Sequence, residues 1–172
     1  QGYADANQDM EAETALANAL KIKPGLSRAL LLRGEIAVRK AIADKKDDPA
    51  VWKAARALIV KANRADVNDP LPLYRYYETW QQQGIDAAQS AKDGLRRVFE
   101  LVPESSDVRA NFAAMLAEEG QYASAINVIK PLAFDPHDSG RADSARKLLE
   151  QYIEANTNKG KAPTPAPTSG NK

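Results

Sequence analysis

His137 is the single histidine of the chain, and it stands in Asp135-Pro136-His137-Asp138. An imidazole flanked by carboxylates has the donor atoms of a metal site or an acid–base pair. The same four residues are also what a proline turn followed by a helix cap requires, and no nucleophile or orienting partner accompanies the histidine. Carboxylates are paired again at Asp47-Asp48 and Glu118-Glu119, where they flank turns and serve helix ends. No HExxH, phosphate-binding glycine loop or GxSxG occurs. The chain has no cysteine, which excludes disulfides, cysteine zinc sites and thiol nucleophiles. The expectation is a non-enzyme with no cofactor and no metal.

The remaining chemistry is that of recognition. Tyr74, Tyr76, Tyr77 and Trp80 crowd one short segment, with Arg75 among them. Tyr76 and Trp80 stand at i, i+4, and Tyr77 and Trp80 at i, i+3, so at least three rings share a broad helix face. Such a face either anchors a peptide or packs a joint between helices. Arg28, Arg33 and Arg109 are further cations at helix starts and faces, and exposed arginines commonly serve as ion-pair partners. Lys92, Arg96 and Arg97 make a short basic face with no interleaved aromatic, which reads as solvated surface. With 24 Lys and Arg against 23 Asp and Glu, no global field attracts nucleic acid. No run of 18 apolar residues occurs, so membrane insertion is not expected.

These residues must be positioned by helices, because the apolar pattern is helical nearly throughout and no strand pattern appears. Ala12, Ala15, Leu16, Ala19 and Leu20 share one face of a helix over about 4–22, stopped by Pro24-Gly25. Ser27 is the expected cap of a second helix, to about 43. Asp48-Pro49 caps a third, to about 66, and Asn68-Asp69-Pro70 separates it from a fourth, over about 71–83, ended by Gly84. Further helices are expected over about 86–101, from Ser105 or Ser106 to about 119, over 121–133, and from Asp138 or Ser139 to about 156. Pro131 should kink the seventh or remove one of its hydrogen bonds. The domain is expected over 1–157 and an extended, disordered Pro/Thr-rich tail over 158–172.

Pro70, Pro103 and Pro136 recur every 33 residues. In the last of these units Ala113 sits mid-helix, Gly120 ends the helix, Tyr122 opens its partner, and Ala125, Ile129 and Leu132 follow. Small residues at crossings, a turn glycine and a closing proline are the physical needs of a stacked helical hairpin. The stretch GQYASAINVIKPLAFDP resembles the turn and second helix of a tetratricopeptide repeat. Leu30 and Gly34, then Leu58, Ala62 and Ala65, then Ala91, Leu95 and Val98 fill comparable places elsewhere. Two departures stand out. The Pro24–Pro70 span of 46 residues exceeds the ~34-residue unit and calls for longer helices or a larger turn. Tyr77 also takes a position where a small residue is usual.

The resemblance implies an all-α chain: a right-handed superhelix, or α-solenoid, of antiparallel hairpins with about three and a half repeats and a capping helix. It implies that first helices line a concave groove, so that Tyr74, Arg75, Tyr76, Tyr77, Trp80 and Arg109 become candidate partner-binding residues for a protein or peptide. The family's carboxylate clamp needs a basic residue followed four positions on by Asn. Leu31 and Glu35 stand there instead, and Arg109 and Asn111 are wrongly offset, so no clamp is expected. The unpaired first helix implies an array truncated at its N-terminal end. Its apolar surface would be covered by a preceding helix, a preceding domain or a second copy in a homodimer. That start supports a second reading, in which the chain is a C-terminal accessory or scaffolding domain of a larger bacterial hydrolase or peptidase. A small-ligand pocket ranks third, for want of clustered polar groups. The compartment, bacterial cytoplasm or periplasm, stays open.

Overall fold

The computed structural model describes residues 2–44, 48–136 and 139–159, with the side chains of 2–7 and 139 left aside. Among the described residues the chain is all helical: α1 (Gly2–Ile22), α2 (Ser27–Ala43), α3 (Pro49–Ala65), α4 (Pro70–Gln83), α5 (Gln89–Leu101), α6 (Ser106–Glu118), α7 (Tyr122–Ala133) and α8 (Ser139–Lys159). Among the described residues no helix is long and apolar enough to cross a membrane. His137, Asp138 and residues 160–172, which hold the expected turn histidine, one expected cap of α8 and most of the expected tail, lie outside the described residues. Two compact units emerge, Gln1–Pro103 and Glu104–Lys172.

Local chemistry sets the helix ends. The Asp48 carboxylate accepts the Ala50 N–H at 2.8 Å and Asp69 accepts that of Leu71 at 2.9 Å, each ahead of a proline in the first helical turn. Ser105, rather than Ser106, caps α6 by accepting the Val108 N–H. Ser27 does not cap α2. It lies inside the first turn, behind Leu26, and its hydroxyl donates across to the Ala62 carbonyl at 3.0 Å, tying the start of α2 to the end of α3. Gly84 and Gly120 take φ values of 73° and 70°, the left-handed conformation that closes a helix and that glycine adopts without strain. After Gly84 the Ile85 N–H bonds back to the Trp80 carbonyl. That closure holds the chain away from helical geometry, and α5 starts at Gln89 instead of Asp86.

In the first unit, α2 and α3 form the tightest hairpin. Leu30, Leu31, Val38 and Ala41 of α2 interdigitate with Trp52, Ala55, Ile59 and Ala62 of α3, and Leu20, Leu71 and Tyr76 pack on the edges. Gly34 permits this approach, because a Cβ there would lie 2.6 Å from Ile59 Cγ1. Each helix of the pair has 17 residues, against 14 in α4 and 13 in α5, so longer helices supply about half of the extra length of the long unit. α1 is held on α2 by Arg33–Glu13 and Arg39–Asp9 ion pairs at 3.0 and 2.6 Å. In the α4–α5 pair the small residues stand on α5. Ala91 and Gly94 are buried there, and a Cβ on Gly94 would meet Leu73 at 3.5 Å. Bulky Tyr77 is buried on α4 at the place where a small residue is usual.

In the second unit, α7 packs against both α6 and α8. Ala113, Ala125, Ile129, Ala133, Ala142 and Ala145 are buried at these crossings, where small side chains let helix axes approach. Pro131 is exposed, and α7 continues through it to Ala133. Its missing N–H removes one bond two residues before the helix ends. Arg146 of α8 donates to the Ala133 carbonyl at 2.9 Å, satisfying an end of α7 that has lost its helical partners.

Candidate functional site

The sequence PLPLYRYYETWQQQ of α4 divides its side chains between two sides. Arg75, Glu78, Thr79 and Gln82 follow one another at helical spacing and face α2, where they and Glu35, Val38, Arg39 and Ile42 line a cleft of about 260 Å³. Arg75 is neutralised within the fold. Its Nη1 donates to Glu78 at 2.7 Å and its Nε lies 3.0 Å from Glu35, although the latter contact is an ion pair without hydrogen-bond alignment. The hydrogen bond to Glu78 holds the guanidinium above its ordinary pKa. A side chain bridging two carboxylates offers little to an incoming anion.

Tyr76, Trp80 and Gln83, at i, i+4 and i+7, turn the other way, towards α3. The Tyr76 and Trp80 rings meet edge to face with centroids 6.3 Å apart, a favoured arrangement for aromatic pairs. Arg56 of α3 lays its guanidinium over the Trp80 ring at 3.8 Å and reaches within 5.6 Å of the Trp52 centroid. Arg56 Nε donates to Thr79 Oγ1 at 2.8 Å, and Nη2 donates to the Thr79 carbonyl at 3.0 Å and to Gln83 Oε1 at 2.6 Å. The residue is only 8% exposed. Burial pushes its pKa down, partly offset by Tyr76. Every one of these acceptors is neutral. The Trp80 Nε1 is buried and has no hydrogen-bond partner among the described residues.

Between this face of α4 and the outer face of α3 runs a broad groove of about 820 Å³. Ala57, Val60 and Ile85 give it apolar walls, and Lys53, Lys61 and Arg64 stand along it. Their spacing follows from α3 itself, whose buried stripe is Trp52, Ala55, Arg56, Ile59 and Ala62. The neighbouring stripe, 53, 57, 60, 61 and 64, is what remains for the groove.

The structure thus separates the six residues expected to bind a partner. Tyr76 and Trp80 share the groove, facing α3 and not the first-helix side. Arg75 lies on the opposite cleft. Tyr77 is 2% exposed and belongs to the core. Tyr74 is half-buried on α4. Arg109 lies in the second unit, where it donates to the Val128 carbonyl at 3.3 Å and joins α6 to α7. The sequence reading passed over α3. Its 17 residues hold Lys53, Arg56, Lys61 and Arg64 and no Asp or Glu, a signal available from charge counted helix by helix. Of the other basic residues, Arg97 pairs with Glu100 at 2.9 Å.

No protein-family model and no curated protein sequence matches the chain. Solved structures do, with 14 chains alike in fold. A crystal structure of MamA superposes with a TM-score of 0.60 at 18% identity, covering 92% of this chain and 95% of that one. A second MamA crystal structure gives 0.57 at 19% identity, covering 94% and 90%. MamA is a tetratricopeptide-like helical-repeat protein, and the likeness establishes a fold of that kind for this chain.

Proposed function

We propose that this chain is a tetratricopeptide-type, non-catalytic module that binds another protein through the α3–α4 surface. The observation that carries the reading is the groove of about 820 Å³, walled by Tyr76, Trp80, Val60 and Ile85. Aromatic side chains in a partly desolvated surface depression are what protein interfaces use as anchors. Arg56 holds Trp80 in place from α3, so the anchor is ordered before a partner arrives and little side-chain entropy is lost on binding. The likeness in fold to MamA agrees with a scaffold role and leaves the partner open.

The test is affinity capture from native lysate, with each captured protein identified, purified and re-tested for direct binding. Wild-type chain is compared with a Tyr76→Ala/Ile85→Ser variant whose helicity by circular dichroism is unchanged. Both substituted side chains line the groove, whereas Trp80 stays in place to keep Arg56 stacked. Direct binding that the variant loses supports the reading. Purified partners that bind both forms equally place recognition elsewhere on the chain, and no directly binding protein at all removes it.

A further inference from the structure

We infer that the α3–α4 groove takes an acidic peptide segment of a partner protein, one in which an aromatic or aliphatic residue is flanked by carboxylates. The inference rests on the protein-binding reading above and adds the chemistry of the ligand.

Three observations converge on it. First, the groove is lined by Lys53, Arg56, Lys61 and Arg64 and by no carboxylate. The chain as a whole has 24 basic and 23 acidic residues, so this one-sided lining is local. Lys53, Lys61 and Arg64 are exposed and enter no ion pair among the described residues, whereas Arg33, Arg39, Arg75, Arg97 and Arg146 all do. Second, Arg56 is a buried guanidinium whose bonds go to neutral acceptors, Thr79 and Gln83. A desolvated cation without a counter-charge is costly, and an incoming carboxylate would supply one at low local dielectric. Third, all four cations are donors only, so the lining of the groove calls for oxygen acceptors.

The walls decide between an acidic peptide and a nucleic acid. Ala57 and Val60 stand among the cations on α3 and Ile85 faces them from beyond α4, and an apolar side chain fits those walls whereas a phosphodiester does not. Tyr76 and Trp80 meet edge to face, with their planes at 86°, so they do not form the parallel platform on which successive bases stack. Four cations on one helix also attract a carboxylate-rich strand at a distance and set its register on contact.

The experiment is selection of a displayed random 12-residue peptide library on the full chain, followed by binding of synthetic consensus peptides. Each is measured against wild type and against a Lys61→Glu/Arg64→Glu variant, with poly(U) as the nucleic-acid probe. Both substituted residues are exposed, and Arg56 stays in place, so folding is preserved and is checked by circular dichroism. The expected pool is rich in Asp and Glu around one aromatic or aliphatic residue. Its consensus should bind the variant at least about tenfold more weakly, and a Glu→Lys version of the peptide should regain affinity for the variant. A pool without carboxylates, or acidic peptides that bind both forms alike, overturns the acidic-segment inference and leaves protein binding as such in place. Poly(U) binding with no peptide enrichment overturns both. Self-association that the charge reversal abolishes, seen by sedimentation with no peptide enrichment, assigns the groove to a second copy and also overturns the inference.

Discussion

Trp80 is the residue on which the groove depends most. Its ring supports a buried guanidinium at 3.8 Å and meets Tyr76 at 6.3 Å. Trp80→Ala removes the aromatic face, opens a cavity and leaves Arg56 without its stacking partner. The expected loss is ~2–4 kcal/mol of unfolding free energy, read by urea denaturation. A loss under about 0.5 kcal/mol, the usual range for surface positions, would mean that the ring only decorates the surface. In the second unit Tyr152 is buried on α8, and burial together with the Glu118 charge raises its pKa. The folded state therefore holds the phenolic proton more tightly than the unfolded chain. Its contribution to stability is complete below about pH 10, the ordinary tyrosine value, and is lost as pH rises through the higher folded value. Thermal unfolding from pH 9 upward should show this alkaline loss in wild type and a reduced one in Tyr152→Phe; identical pH profiles would refute the assignment.

At the scale of elements, the α2–α3 hairpin is fixed by a single missing side chain. A methyl on Gly34 would lie 2.6 Å from Ile59 Cγ1 and 3.3 Å from the Ile59 backbone nitrogen. Gly34→Ala gains helix propensity of roughly 1 kcal/mol, but overpacking of this kind costs ~1–3 kcal/mol. A net destabilisation of up to about 2 kcal/mol is expected in urea titration. A more stable variant would show that the hairpin relaxes around the methyl. The helix ends were legible in the sequence because prolines, capping aspartates and turn glycines act within a few residues. Asp48-Pro49, Asp69-Pro70, Gly84 and Gly120 each mark an observed boundary. Ser27 and the start of α5 were not legible. The first depends on a carbonyl 35 residues away, and the second on a backbone bond from Ile85 to Trp80.

At the scale of the whole molecule, the repeat is written in punctuation and small residues, and the fold it encodes matches a solved structure at 18% identity. The candidate site is written less openly. Spacing of i, i+3 and i, i+4 placed Tyr76, Tyr77 and Trp80 on one broad face, yet the rotational setting of α4 sends Tyr77 into the core and the other two rings to α3. That setting is decided by packing against the partner helices, and no pattern within α4 reveals it. The charge of α3 was plain in the sequence. A near-neutral total concealed it, and the resemblance drew attention to first helices.

Binding by the α3–α4 surface is tested most directly by photo-crosslinking. A photoreactive phenylalanine analogue replaces Ala57, an exposed residue of the groove, or Arg97, an exposed residue of α5. Each form is irradiated in native lysate. A discrete adduct from position 57 that is absent from position 97, and that Lys61→Glu/Arg64→Glu abolishes, is the predicted result. Matching adducts from both positions, or none from position 57, would contradict it.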